Sequence, residues 1–346
     1  MKEWSNTSEE SRSSGNSPHH PSTVFVSRAF IRFLNLAALT CALSVLATLT
    51  DAHSSPSLSH GDPRTSPQDD APCEICFYGP DNIAFDADEN AYVTDGDQSA
   101  RFRVLKISAS GKKLMDWHAF MVAPNRRNGP EGIAVSNQNE IFVTDGGALQ
   151  VIKFSAHGRP MMRIGDKAPV FQDLGHVAVD KAGNIFVAEG GVNRIQQFSP
   201  RGKRLTVWQK PKGHGENEWN MPEGIGLQPN GNIVVEDAGN QRVLIVNANG
   251  DTVSSIDLKH LTPHFSAGLA VDAIGNIYVA DDKLHSVQMF DPKGSWIRNI
   301  ANGDHDLLFR SGPTSISVGP HDILYAADGR TVVKFTVDGE LLGRWR

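Results

Sequence analysis

The sequence predicts an all-β fold: a six-bladed β-propeller of four-stranded blades, preceded by an N-terminal signal or anchor segment. Three observations carry this expectation. A unit of four short apolar runs recurs six times, its turn glycines keep a near-constant spacing, and the chain changes character ahead of the first unit.

Composition sets the outer bounds. The 346 residues are 39% hydrophobic and 21% charged, with a formal net charge of −6, ordinary values for a globular protein. Phosphate binding needs clustered Lys and Arg, and the sequence shows no such cluster. A dedicated nucleic-acid surface is therefore not expected.

Residues 1–28 are polar and Ser-rich, a composition that buries too little apolar surface to fold. Arg28 and Arg32 then lead into the uncharged run FLNLAALTCALSVLATLT, Phe33 to Thr50. Basic residues before such a run place the following chain across a membrane. Residues 29–52 thus read as a signal peptide or a single transmembrane anchor. Small residues around Asp51 favour cleavage, whereas the long polar stretch before the run favours an anchor, and both stay open. Either way the remainder is expected to be extracytoplasmic, secreted, periplasmic or tethered to the membrane.

Residues 53–72 are rich in Ser, Pro and Asp and read as a linker. Of the three cysteines, Cys41 lies in the apolar run, and Cys73 and Cys76 form a C-x-x-C pair in PCEICF. Phe77 stands where haem attachment would require His, and no second pair exists to complete a four-cysteine zinc site. No helix signal follows, as a dithiol redox site would need. A local disulfide and two free thiols remain.

Residues 73–346 carry the repeats. Each opens on an alternating run: NIAFD, GIAVS, HVAVD, GIGLQ, GLAVD, SISVG. A Gly/Asn/Asp turn leads to a more β-branched run: AYVTD, IFVTD, IFVAE, IVVED, IYVAD, ILYAAD. A third run follows (RVLKIS, VIKFS, RIQQFS, RVLIVN, SVQMFD, VVKFT), then a Gly turn and a fourth such as LTVWQ or LLGRWR. The turn residues Gly111, Gly158, Gly202, Gly250, Gly294 and Gly339 are 47, 44, 48, 44 and 45 residues apart. Four short strands at that period form a propeller blade. A lone blade cannot hide both faces, so the blades must stack in a ring. A monomeric ring, closed by packing unit one on unit six with help from EICFY, is the expectation.

The pattern P-x-G-I-x-V/L, then G-N-I-Y/F/V-V-x-D/E, then N-x-R-V/I and a turn Gly, resembles the NHL repeat. It is clearest in MPEGIGLQPNGNIVVEDAGNQRVLIVNANG. The resemblance covers all six units. It implies the propeller but not one function, because such propellers serve as scaffolds, sensor domains, lactone hydrolases and lyases.

Several residues have structural readings. Asp95, Asp145, Glu189, Asp237, Asp282 and Asp328 fall at or just after the end of the second run. They resemble the family's Asp, which binds loop amides, with Arg103, Arg194 and Arg242 as ionic partners. Phe171, Trp219, Phe265 and Phe309 recur before first runs, which argues wedge packing between blades. Trp117, Trp208, Trp296 and Trp345 belong to the outer strands.

One position varies. Just before the first strand the units carry Asp81, Glu131, His176, Glu223, Ala267 and Thr314, and the three acids each follow Pro. The innermost strands line the channel, so three acids and an imidazole are expected at one mouth of it. Such a set suits a divalent cation, Ca²⁺ or Mg²⁺ before Zn²⁺. The alternative is that Pro-Glu-Gly is a turn whose Glu caps backbone amides. Propeller lactonases similar to gluconolactonase hold a cation with acid side chains at this place. The amidating lyases of peptidyl-hydroxyglycine are similar in repeat grammar, but their zinc site uses His where this chain has Asp81, Glu131 and Glu223.

The leading expectation is an exported or membrane-tethered recognition platform. A protein, peptide or carbohydrate ligand would meet the acidic mouth and the loops VAPNRRNGPEG and QKPKGHGENEWNMPEG. The alternative is a metal-dependent hydrolase or lyase with its metal at that mouth.

Overall fold

The chain divides into Met1–Ser59 and His60–Arg346. A computed structural model describes residues 75–97, 101–118, 120, 129–166, 170–259, 268–282, 284–300 and 308–346, all of them in the second unit. The polar N-terminus, the signal or anchor segment 29–52, the linker, Cys73, Phe265 and Ala267 lie outside the described residues. Among the described residues no helix is long and apolar enough to cross a membrane.

Six antiparallel sheets of four strands follow one another, and within each the strands pair in chain order. The innermost strands are Pro80–Phe85, Pro130–Val135, Val177–Val179, Pro222–Leu227, Leu269–Val271 and Ser315–Val318. Each touches the next around the ring, and the sixth touches the first. The protein is therefore a closed six-bladed β-propeller.

Burial follows from that ring. The second strands of blades two to six, such as Ile141–Asp145 and Ile233–Asp237, are buried at every residue. A strand sandwiched between two neighbouring sheets hides both faces, which is why these runs open on consecutive apolar residues rather than alternating, with a buried acid at the end of each. There is no single core. Six apolar clusters instead fill the six gaps between blades. Phe171 (2% exposed), Trp219 (0%) and Phe309 (0%) are wedges in three of them. Trp117 and Trp208 are buried on outer strands, whereas Trp296 is 61% exposed.

In blades one and five the first hairpin turn is fastened by its own side chains. In blade one Asp86 accepts hydrogen bonds from Asn90 N, Asn90 Nδ2 and the Tyr92 hydroxyl. Blade five repeats the device with Asp272, Asn276 and Tyr278. Burial alone would raise the Asp86 carboxyl. The Asn90 and Tyr92 hydrogen bonds and the Lys106 charge outweigh it and hold the group below its ordinary value. With the folded value depressed, this stabilisation is present above the unfolded value and is lost as pH falls through the folded one.

The closing seam joins blades six and one. Ile75 N–H donates to Arg346 O over 2.7 Å, adding a short pairing beside the outer strand Leu341–Trp345. Ile75 and Phe77 enter the cluster holding Tyr325 and Val332 of blade six. Ile75 and Phe77 of the stretch EICFY thus contribute to closure as the sequence suggests. Cys76 is disulfide-bonded, and its partner lies outside the described residues. Ser317 Oγ of blade six also donates to Ile83 O of blade one, at 2.6 Å.

The turn glycines set the repeat spacing for a physical reason visible at this seam. Gly111 has φ +86, and a Cβ there would stand 2.7 Å from the Trp345 indole nitrogen. Gly231 has φ +89 but nothing within 4 Å of the same position. Gly231→Ala should therefore lose only the left-handed backbone penalty, roughly 1–2 kcal/mol. Gly111→Ala should lose that plus an overpacking penalty of about 1–3 kcal/mol. Thermal melts of the two variants measure the difference, and equal shifts would remove the seam contact from the account.

Candidate functional site

The innermost strands of blades one, two and four begin on Pro80, Pro130 and Pro222, which pair with Asp95, Asp145 and Asp237. Proline has no N–H to give, so a strand's first residue suits it. Pairing resumes at Ile83, Ile133 and Ile225, so two residues of the inner strand oppose one of the second. The Pro-acid segment is therefore a β-bulge. Asn82 N–H and Gly132 N–H donate to Thr94 Oγ1 and Thr144 Oγ1, each at 2.8 Å.

In blade three Gly175 N–H donates to Ala188 O and Ala188 N–H to His176 O, so two residues again oppose one, and the register corrects one reading of the sequence. Val177 pairs with Val187, the register partner that Ile83, Ile133 and Ile225 have in their own blades. His176 thus matches Asn82, Gly132 and Gly224. The residue equivalent to the three acids is Gly175. In blade five Asp281 ends the second strand and Asp282 lies just after it, as expected.

The acids' backbone carbonyls have a clear task. Glu131 O accepts from Asn82 Nδ2 of blade one at 2.7 Å, and Glu223 O accepts from His176 N–H of blade three at 3.1 Å. Asp81 O accepts from Ser315 Oγ of blade six. The bulge thus turns a carbonyl toward the preceding blade and stitches inner strands together. Glu223 is 4% exposed, and its carboxylate faces Gly190 of blade three rather than open channel. Asp81, Glu131, His176 and Glu223 each have further interactions of their own. Among the described residues no three His, Cys, Asp or Glu side chains gather in a way that would hold a metal ion. The expected set does not fit a cation as it stands.

The buried acids ending the second strands do what their sequence suggests. Asp95 accepts Tyr78 N–H and Gly79 N–H at 2.9 and 2.8 Å, and Arg103 Nε lies 2.7 Å from its other oxygen. Asp237 takes Asn220 N–H, Asn240 Nδ2 and Arg242 Nε. Glu189 takes Gln172 N–H, Arg194 and Gln196. Asp328 takes Arg310 N–H and Ser311 N–H. Each pins the loop that enters the innermost strand to the strand beside it.

These loops end at a channel of about 310 Å³ lined by all six innermost strands. Asn82 and His176 meet there, with Asn82 Nδ2 3.4 Å from His176 Nε2. Beside it the loop from Lys210 to Met221 is tightly braced. Trp219 N–H donates to Pro211 O, Asn240 Nδ2 to Gly213 O, Arg242 to Glu218 O, and His214 Nδ1 lies 2.6 Å from Asn240 Oδ1. Most of the other loop singled out in the sequence, VAPNRRNGPEG, lies outside the described residues. Asn82, Ser315 and the two threonines escaped the sequence reading. The signal for them was a polar residue inside an otherwise apolar inner or second run.

No family model matches the chain, and no curated protein matches it. Solved structures match its fold. Virginiamycin B lyase from Staphylococcus aureus superposes with a TM-score of 0.56 at 14% identity, covering 78% of this chain and 84% of that one. A protein of unknown function from Bacteroides thetaiotaomicron gives 0.57 at 17%, covering 75% and 69%. Hydrazine synthase from Kuenenia stuttgartiensis gives 0.53 at 14%, covering 76% and 97%. At these identities the likeness is one of fold.

Proposed function

We propose that the protein is an exported, NHL-type propeller that serves as a recognition platform, its ligand meeting the face where the innermost strands begin. The observation that supports this most is the braced loop from Lys210 to Met221. A loop whose backbone is tied at Pro211, Gly213 and Glu218 loses little conformational freedom on binding, and that preorganisation favours affinity. The test is a peptide and glycan array probed with wild type and with Lys212→Glu combined with His214→Ala. Reproducible hits that the double variant loses support the platform. Hits that ignore the substitutions, or none at all, overturn it.

Export rests on Arg28, Arg32 and the uncharged run that follows. Fusing residues 1–55 to a reporter active only outside the cytoplasm should give activity, and a silent cytoplasmic fusion would refute it.

The alternative, a metal-dependent hydrolase or lyase, would require Glu223 to leave its buried seat and join Glu131 or Asp81. On the geometry above, the purified protein should hold no stoichiometric metal, and Ca²⁺, Mg²⁺ and Zn²⁺ should leave its melting temperature unchanged. Glu131→Gln with Glu223→Gln should melt earlier in every buffer. A cation at a hundredfold excess over its Kd would instead stabilise by about 2.7 kcal/mol. A rise of that size, abolished in the double variant, would restore the metal reading.

A further inference from the structure

We propose that the rim of blades two and three docks on an anionic lipid surface. The proposal goes beyond the platform reading and does not rest on it. The rim is made by the outer strands, so docking there leaves the face where the innermost strands begin uncovered.

Two neighbouring blades build the patch. The outer strand Pro160–Ile164 of blade two follows Arg159 and contains Arg163. In blade three Arg201 and Lys203 flank the turn residue Gly202, and Arg204 opens the outer strand Arg204–Gln209. A Cβ on Gly202 would stand 3.2 Å from both Met162 Sδ and Ile164 Cγ1, so the blade-three turn lies directly on the blade-two strand. Arg163 and Arg201 accordingly border one shallow depression of about 520 Å³, lined also by Pro160, Met161, Met162 and a single acid, Asp166.

These bases lack the partners that others have. Lys106, Lys153, Arg194 and Arg242, on the third strands, each face an acid. Arg298 of blade five pairs with Asp338 of blade six. Among the described residues Arg159, Arg163, Arg201, Lys203 and Arg204 form no ion pair, and Arg163 reaches the neutral Gln150 side chain at 3.0 Å. Five positive charges and one acid thus share a patch on a chain whose net charge is −6. Such a concentration of one sign attracts an extended surface of the other.

The same two strands expose apolar side chains between the bases. Met161 is 56% exposed, Leu205 49% and Val207 41%. The combination selects the partner. A polyanion dissolved in water pairs with the bases and gains little from a thioether or an aliphatic group. A lipid surface takes both: its phosphates meet the bases, and the apolar side chains leave water at the headgroup boundary.

The full-length protein would be mixed with vesicles of phosphatidylcholine alone, or of phosphatidylcholine and phosphatidylglycerol in equal parts, and its surface labelled. Peroxide oxidation of Met161 and acetylation of Lys203 read the patch, and acetylation of the exposed Lys293 of blade five reads a remote site. Each rate is taken relative to the same protein without vesicles. The labels report which surface meets the lipid, whatever the N-terminal run contributes. We expect the mixed vesicles to slow labelling of Met161 and Lys203 severalfold, with Lys293 unchanged and neutral vesicles without effect. Raising the salt should release the protection. Arg159→Gln, Arg201→Gln and Arg204→Gln together should abolish it, and Leu205→Thr with Val207→Thr should weaken it. All five positions are exposed, so these variants should melt as wild type does; if the triple variant melts early, the salt dependence tests the charges in its place. Equal labelling on neutral and mixed vesicles, equal protection of Lys293, or indifference to salt and to the substitutions would each overturn the proposal. Protection by heparin as strong as by mixed vesicles, and unchanged in the threonine variant, would make the patch a polyanion surface and overturn the lipid reading.

Discussion

Deleting Gly312 to Arg346 should abolish cooperative folding. The deletion removes blade six, and with it the surface that blades five and one each pack against. On blade five, Tyr278, Val287, Met289, Ile300 and Phe309 lose the cluster that buries them. On blade one, Ile75, Phe77, Ile83, Val93, Leu105 and Ile107 lose theirs. Burial of one such side chain stabilises by roughly 1.5–3 kcal/mol. Eleven of them give on the order of 15–30 kcal/mol as an upper estimate, against a total stability of about 5–15 kcal/mol for a typical domain. The deletion also strips Ile75 N–H and the Asp81 and Ile83 carbonyls of their partners. Aggregation, or a broad melt with no sharp transition, is the expected result by calorimetry. A soluble remainder that melts as sharply as the parent would show that five blades close without the sixth.

The second large effect is expected at Arg103. Its Nε pairs with Asp95 at 2.7 Å and its Nη1 with Asp116 at 3.2 Å, while Nη2 donates to Cys76 O at 2.7 Å. The guanidinium also lies 4.0 Å from the centre of the Tyr78 ring. Both ends of the main pair are buried, at 5% and 0% side-chain exposure. Removing one partner of a buried pair leaves an uncompensated charge and typically loses about 3–5 kcal/mol. Arg103→Ala should therefore lower the melting temperature by roughly 6–15 °C, taking a few degrees per kcal/mol.

Arg101 supplies the control. It contacts the same Tyr78 ring and pairs with Asp97, but its side chain is 52% exposed, so Arg101→Ala should scarcely move the melt. Asp95→Asn with Arg103→Gln should recover part of the loss, because the mismatch and not the missing contact dominates. If Arg103→Ala proves as mild as Arg101→Ala, the Asp95 pair is not the brace of the first blade.

The ring was legible because its cause is periodic. A second run such as IFVTD or IYVAD opens on consecutive apolar residues, since each lies between two sheets, and six repetitions leave one way to hide every face. The buried acids were legible too: Asp95 precedes Arg103 by eight residues and Asp237 precedes Arg242 by five, and the hairpin register brings each acid against its Arg.

The site was legible only in part. His176 was expected level with the acids, yet the register that pairs Val177 with Val187 sets it level with Asn82, Gly132 and Gly224, one residue further along the strand. A one-residue slip in a strand sends a side chain to the other face. A linear sequence does not record where pairing skips. The Pro-acid bulge turns the carbonyls of Asp81, Glu131 and Glu223 to the neighbouring blade and leaves the Glu223 carboxylate buried against Gly190.

What the sequence determined by itself is the number of blades, their strands, the pinning acids and the wedge aromatics, all fixed by local pattern and period. What only the tertiary structure decided is which groups face the channel. Strands from six blades, more than 230 residues apart in the chain, converge there. Their inward faces are set by register and bulge together, and neither follows from residue type alone.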